Sequence, residues 1–492
     1  MLRKGTVLGR LRGVLLAISV FALTIGTAPL YAVALYCHPY YDDYGFSAAV
    51  RQTWTQTGSV AQALQAALQS AAQTRQTWQG TYTGTLLSNV QPGVFSEGLY
   101  FLGCWLILTA FIGGWLFFLL TVLARLGLRR GERWTLSCLA VTVMVQFMPD
   151  VREAFFWFNG GIGNVFIYAL LAIAFALTLR LLEQKRPWAM LGLVPLMVAL
   201  GGGSYGGGLF GLCVYAVGLA WLIWRRHPRR WHVAALFLLF LGCFLYSVSA
   251  PGNAVRSTYL GPPASPVVAV GKALYYGVAQ MGTFLRLPVI GITLPLLPAL
   301  WRAAGESRFS FAHPWLCVGL LGGLYCAQLV PPLYAGVGVG AGRIVNTYFI
   351  SFVALWFLAV YYLLGFLYRR GLRPNARSLG ALTLAGVCAL GLGALAVKPD
   401  GEDLYGAQHL SGPSAALSLV TGRAARYDRE MRQREALLND PAQDEVTLAP
   451  LTSVPAVFMP DLLTDETSNV RDMLCRYYNK RAIYIAGEEE TP

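Results

Sequence analysis

Charge is what this chain has least of. Of its 492 residues only 13% are Asp, Glu, Lys or Arg, about half the roughly 25% of a soluble globular domain. So little solvated surface excludes a disordered chain, a coiled coil and an ordinary cytoplasmic enzyme. Paired cysteines are missing too. Nine cysteines occur without a CxxC motif or matched spacing, which indicates neither a disulfide framework nor a zinc site. Seven of them fall in apolar runs, leaving Cys37 and Cys475 outside. No internal repeat marks a transporter with duplicated halves. The glycine-rich stretch 201–208 is not a nucleotide loop, because no Lys-Ser/Thr follows it and no strand precedes it.

What abounds is apolar sequence, 56% of the chain, with a mean hydropathy of +0.52. A membrane-spanning helix takes about 20 mostly apolar residues. Eleven runs qualify as candidates: 13–35, 99–124, 134–149, 161–179, 188–203, 207–224, 232–250, 287–301, 314–330, 345–367 and 378–397. The first exceeds the h-region of a secretory signal, about 7–15 residues long, and reads as an uncleaved anchor. Segment 267–284, interrupted by Lys272, Tyr275, Tyr276 and Gln280, reads as a twelfth span or an amphipathic surface helix. Treating it as non-spanning puts Arg369, Arg370, Arg373 and Arg377 with the other basic residues, as the positive-inside rule prefers.

The expected fold is an all-α polytopic membrane protein with about eleven transmembrane helices, the N-terminus cytoplasmic and the C-terminal tail outside. The net charge of +14 then separates into +18 on the cytoplasmic face, +2 on the outer loops and −6 on the tail. The cytoplasmic set includes Arg3, Lys4, Arg10, Arg12, Lys185 and Arg186. The basic excess is an orientation signal, and no nucleic-acid partner is expected. The division is a bundle over 1–397, including a long outer loop at 36–98, and an extracytoplasmic domain at 398–492. Within the loop, 59–78 reads as a surface helix, and Gly80, Gly84, Pro92 and Gly93 as turns. In the tail, 413–438 reads as one charged helix. Val446–Leu448, Val454–Phe458 and Ala482–Ala486 read as short strands, with a helix near 467–478, making a small α/β cap.

Candidate chemistry lies on the outer face. The loop opens Tyr36-Cys37-His38-Pro39-Tyr40-Tyr41-Asp42-Asp43-Tyr44. Neighbouring carboxylates diverge by about 100° on a helix, so only one of Asp42 and Asp43 faces a given site. Such a group serves as general base or metal ligand, or merely solvates a loop. A second cluster runs Asp150-Val-Arg152-Glu153-Ala-Phe-Phe-Trp157-Phe-Asn159-Gly160-Gly161-Ile-Gly163-Asn164. Charges at membrane depth face a cavity or a partner. Asp150 and Glu153 therefore act on a substrate or pair with Arg152. The Asn159 and Asn164 amides bind sugar hydroxyls or satisfy a helix start. Two outer arginines, Arg256 and Arg343, suit a phosphate or snorkel to lipid headgroups.

Tyr41-Asp42-Asp43-Tyr44, Glu153-Ala-Phe-Phe-Trp157-Phe-Asn159-Gly160 and Ala250-Pro251-Gly252-Asn253-Ala-Val-Arg256 resemble a bacterial family of GT-C-like membrane proteins, within the GT-C glycosyltransferase superfamily. The likeness extends over most of the membrane region and loosely to Tyr477-Tyr478-Asn479-Lys480. It implies a sugar moved from a polyprenyl-phosphate donor to a glycan or lipid acceptor, in cell-surface polysaccharide or glycolipid assembly at the bacterial inner membrane. Asp42 or Asp43 matches the family's first-loop acid, a base or acceptor-orienting group; Asp150 and Glu153 would form a second acidic site. Arg256 and Arg343 match no motif of the superfamily and are proposed from their chemistry as phosphate clamps. Trp157, Asn159, Asn164 and His38 complete the candidate substrate-binding set. No cofactor is required, although the Asp pair leaves a divalent metal open. Two other readings stand beside this one: a transporter or flippase for a lipid-linked or anionic substrate, and a non-catalytic membrane scaffold.

Overall fold

The structure, a computed structural model, describes residues 2–183, 187–372, 375–399, 403–463, 465 and 469–486. Lys185, Arg186, Arg373, positions 467 and 468, and the side chains of Arg3, Lys4, Arg10, Arg12 and Arg377 lie outside the described residues. Of the described residues, 75% are helical. In order it forms α1 (Leu2–Ala34), α2 (Asp42–Thr57), α3 (Val60–Thr77), α4 (Tyr82–Asn89), α5 (Phe101–Arg125) and α6 (Arg130–Gln146). A π-turn at Arg152–Phe156 leads into α7 (Phe158–Gly163) and α8 (Val165–Glu183). There follow α9 (Met190–Gly201), α10 (Tyr205–Trp224), α11 (Arg230–Val248), α12 (Pro251–Leu260), α13 (Pro266–Phe284), α14 (Leu287–Glu306), α15 (Pro314–Ala327), α16 (Val330–Tyr334), α17 (Gly342–Arg369) and α18 (Ala376–Leu395). The tail adds α19 (Ser411–Val420), α20 (Arg423–Leu438), β1 (Glu445–Leu448), α21 (Val470–Tyr478) and β2 (Ala482–Ile485).

Seven helical stretches among the described residues are long and apolar enough to cross a membrane: Gly13–Ala34, Glu97–Arg125, Phe158–Glu183, Tyr205–Trp224, Arg230–Val248, Leu287–Glu306 and Gly342–Arg369. The other four expected runs are helical as well, but shorter. They are α6, α9, α15 and the apolar part of α18, Ala381–Leu395. Pro195 inside α9 and Pro295 and Pro298 inside α14 each remove a backbone donor and bend the local axis. The ambiguous 267–284 segment is α13, outside the seven; Val267, Val270, Leu274 and Val278 remain exposed along it.

Three expectations change in detail. The single helix over 413–438 is two, parted at Gly422, whose φ of 72° ends α19 in the left-handed conformation glycine adopts freely. Val454–Phe458 is a turn closed by Phe458 N–H on Pro455 C=O, since Pro455 cannot donate to a ladder. Gly84, read as a turn, lies within α4. The strands β1 and β2 pair in parallel, Val446 against Ile483 and Leu448 against Ile485.

The first loop and the tail share one core. Tyr44, Val50, Ala63 and Ala67 pack with Leu438, Val446, Leu448, Val470, Leu474, Tyr477, Ile483 and Ile485. The tail also continues into the main bundle core, where Ala415, Tyr427, Met431 and Phe458 join α1, α5, α6 and α17.

Candidate functional site

The site is built where α1 and α11 end and α17 begins. Leaving α1, the chain is turned at Tyr41, whose backbone sits at φ 44°, ψ −109°. A non-glycine residue there carries roughly 1–3 kcal/mol of strain. That turn starts α2, so Asp42 and Asp43 occupy its first turn, where the helix dipole favours anions. Their side chains then part. Asp43 is fully buried and accepts from Tyr100 Oη (2.6 Å), Tyr40 N–H (3.0 Å) and Asn159 N–H (2.8 Å). Burial raises its pKa to about 7 against the pull of these donors. Asp42 stays partly exposed and accepts one bond from Asn159 Nδ2 at 3.2 Å. Burial raises its pKa too, while Arg343, Asn159 and Arg256 draw it down.

Both arginines therefore act on the Asp42 carboxylate, and each is stacked on a tryptophan. The Arg343 guanidinium lies 5.2 Å from the Trp157 ring centre. Arg343 also donates to Glu153 Oε2 from its backbone N–H (2.9 Å) and from Nη1 (3.3 Å). Arg256 lies 5.2 Å from the Trp78 ring centre and donates from Nη1 to Gln79 Oε1 at 2.8 Å. Its Nε is buried without a partner, and burial lowers its pKa. Among the described residues no carboxylate comes within 4.0 Å of Arg256. A partly buried guanidinium without a counter-ion is the feature an anion would complete. The Trp78 segment is tightly fitted: a Cβ on Gly80 would strike Ser247 C=O, and one on Gly252 the Trp78 backbone nitrogen.

The expected residues thus divide. Asp42, Glu153, Trp157, Asn159, Arg256 and Arg343 form one linked group: Asn159 bonds Asp42, Arg343 bonds Glu153 and lies over Trp157, and both arginines act electrostatically on Asp42. Asp150 is held apart from this group. It binds Arg152 through Nε (3.0 Å) and Nη2 (2.7 Å), and it caps the π-turn by accepting from Arg152 N–H and Glu153 N–H. The Asn346 amide bonds both backbone polar groups of Asp150. Asn164 donates to Gly160 C=O at a helix end. His38 lies elsewhere, with Nδ1 2.5 Å from Glu435 Oε1 and Nε2 3.0 Å from Asp428 Oδ1; these bonds join the first loop to α20.

Sequence reasoning missed Trp78, Gln79, Tyr100 and Asn346. Trp78 and Gln79 could have been flagged as an amphipathic aromatic and an amide just before a glycine turn. Nothing in the sequence pairs them with Arg256. Tyr40 stands edge-on to Trp157 at 5.8 Å, and with Tyr41 it borders a cavity of about 50 Å³ between α2, α20 and α21. Among the described residues no three of His, Cys, Asp and Glu group as a metal site. Comparison with protein-family models, curated proteins and solved structures yields no match for this chain.

Proposed function

We propose that this protein is a membrane glycosyltransferase of the GT-C type, moving a sugar from a polyprenyl-phosphate donor to a glycan or lipid acceptor at the cell surface. The observation that carries this reading is one partly exposed carboxylate, Asp42, within the electrostatic reach of two tryptophan-stacked guanidiniums, Arg256 and Arg343. A hydroxyl nucleophile needs a base, and a departing phosphate needs fixed positive charge. In this reading Asp42 takes the acceptor hydroxyl proton as that oxygen bonds the anomeric carbon. The bond from carbon to phosphate oxygen breaks, and the phosphate leaves with the electron pair toward Arg256 and Arg343. Burial favours the role of Asp42, because a raised carboxylate pKa makes a stronger base.

Asp43 serves as a positioning residue, holding Tyr40, Tyr100 and the Asn159 backbone. Asn159 bridges both acids, with its own amide oxygen accepting from Ser88 at 2.6 Å. Glu153 orients Arg343 and lowers the local charge excess. The topology belongs to the same reading: eleven spans, the N-terminus in the cytoplasm, and the α2–α4 loop and the tail outside a bacterial inner membrane. It is supported by the basic excess of +18 on one side. A transporter drawing on Asp150, Arg152 and Glu153 finds less support, because fixed donors hold both carboxylates.

The test uses proteoliposomes loaded with synthetic polyprenyl-phosphate sugars and membrane extracts as acceptors. Transfer by the native chain, lost in Asp42→Asn with unchanged folding, is the expected result. Full transfer by Asp42→Asn and Arg256→Gln would remove the reading.

A further inference from the structure

In the tail, α19 carries an unusual distribution of polar and apolar side chains. On a helix facing water, hydroxyl and charged side chains point out and apolar ones point in. On α19 the arrangement is inverted. Ser411, Gly412, Ser414, Ala415 and Ser418 are buried, whereas Pro413, Leu417 and Val420 form the exposed face. Leu417 is 42% exposed and Val420 82%.

The buried face is fixed against two bundle helices by polar bonds. Gln146, the last residue of α6, donates from Nε2 to Gly26 C=O of α1 at 2.8 Å and accepts Gly412 N–H at 2.9 Å. A Cβ on Gly412 would strike Gly26 C=O, so the two backbones touch. Gly26 lies eight residues before the end of α1, about 12 Å along the helix axis. That depth is within an apolar stretch, Gly13–Ala34. Beside it α1 exposes Ile18, Phe21 and Ile25, at 55%, 65% and 56%. Small and hydroxylated residues at the helix contact, with branched apolar residues outside, is how helices associate in lipid.

We infer that α19 is inserted in one leaflet of the bilayer, its Pro413–Leu417–Val420 face against acyl chains continuous with those covering α1. At ten residues it is about 15 Å long and cannot span. It acts as a leaflet anchor. The helix that follows across Gly422, α20, carries Asp428 and Glu435 onto His38, so the anchor sets the height of the tail over the loop that bears Asp42. This inference rests on packing and exposure and is independent of the proposed chemistry.

The experiment places a photoreactive benzophenone side chain at Leu417, at Val420 or, as a water-facing control, at exposed Arg429, in the full chain reconstituted in phosphatidylglycerol–phosphatidylethanolamine vesicles. Irradiation should give phospholipid mass adducts at 417 and 420 and none at 429. Because labelling could perturb folding, Val420→Asp and Val420→Leu are compared for recovery of folded protein: loss in the first and retention in the second are expected. Absence of lipid adducts at both α19 positions, cross-linking there to a second copy of the chain, or full recovery of Val420→Asp would each overturn the inference.

Discussion

His38 Nδ1 lies 2.5 Å from Glu435 Oε1, joining residues 397 positions apart through a buried charge-assisted bond, with Asp428 on the other ring nitrogen at 3.0 Å. Burial opposes the imidazolium, but the two carboxylates win and raise the pKa to about 9. The bonds to His38 and Arg432 hold Asp428 below its usual range, against burial. Since the folded pKa of His38 lies above its unfolded value near 6.5, the stabilisation is full below about 6.5 and is lost as pH rises through about 9. Stability against unfolding in detergent should therefore fall between about pH 6.5 and about 9.5. His38→Gln should flatten that window and cost about 1.5–3 kcal/mol at pH 6; an unchanged slope in the variant would refute the assignment.

Asp43 has the same sign, in a more acidic window. Its folded pKa of about 7 exceeds the ordinary Asp value of 3.8, so the folded state binds more protons between those limits. Stability contributed by this group falls as pH rises from about 4 to about 7 and is level above. Asp43→Asn removes the slope, yet leaves an amide N–H₂ facing donors. It should cost about 1–3 kcal/mol, read by thermal unfolding at pH 5 and pH 8.

Among the described residues Arg256 has no carboxylate within 4.0 Å, so Arg256→Gln should leave the unfolding midpoint nearly unchanged while weakening binding of an alkyl phosphate at least tenfold. Arg256→Lys should not restore it, because a point ammonium lacks the planar fork and the stacking on Trp78. Arg343→Gln behaves differently. It leaves Glu153 in place without its ion pair, so binding and stability should fall together. Calorimetry of phosphate binding beside unfolding curves separates the two.

Gly252→Ala touches no charged group, yet drives a methyl into the Trp78 backbone. Such overpacking costs about 1–3 kcal/mol, and here it should also displace Trp78 from Arg256. The expected outcome is loss of phosphate affinity comparable to Arg256→Gln, plus lowered stability. Gly218→Ala, where a Cβ meets nothing within 4 Å, is the matched control.

The primary sequence was sufficient for the class of the protein and the position of its helices. Apolar run length and charge placement depend on neighbours along the chain, and all eleven expected runs are helical. Adjacency in sequence also separated Asp42 from Asp43, because neighbouring residues on a helix must diverge. It could not say which one turns inward. That was decided by Tyr100 and Asn159, which are 57 and 116 positions from Asp43. Likewise His38, Asp150 and Arg343 looked alike as isolated polar residues at a membrane boundary. Only the fold sorts them, by setting His38 against Glu435, Asp150 against Asn346 in addition to the nearby Arg152, and Arg343 against Glu153 and Trp157. The reason is physical: a charge at low dielectric is defined by its partner, and the partner is chosen by how helices pack, at separations no local pattern encodes. The same holds for α19, whose serines lie buried against α1 and α6.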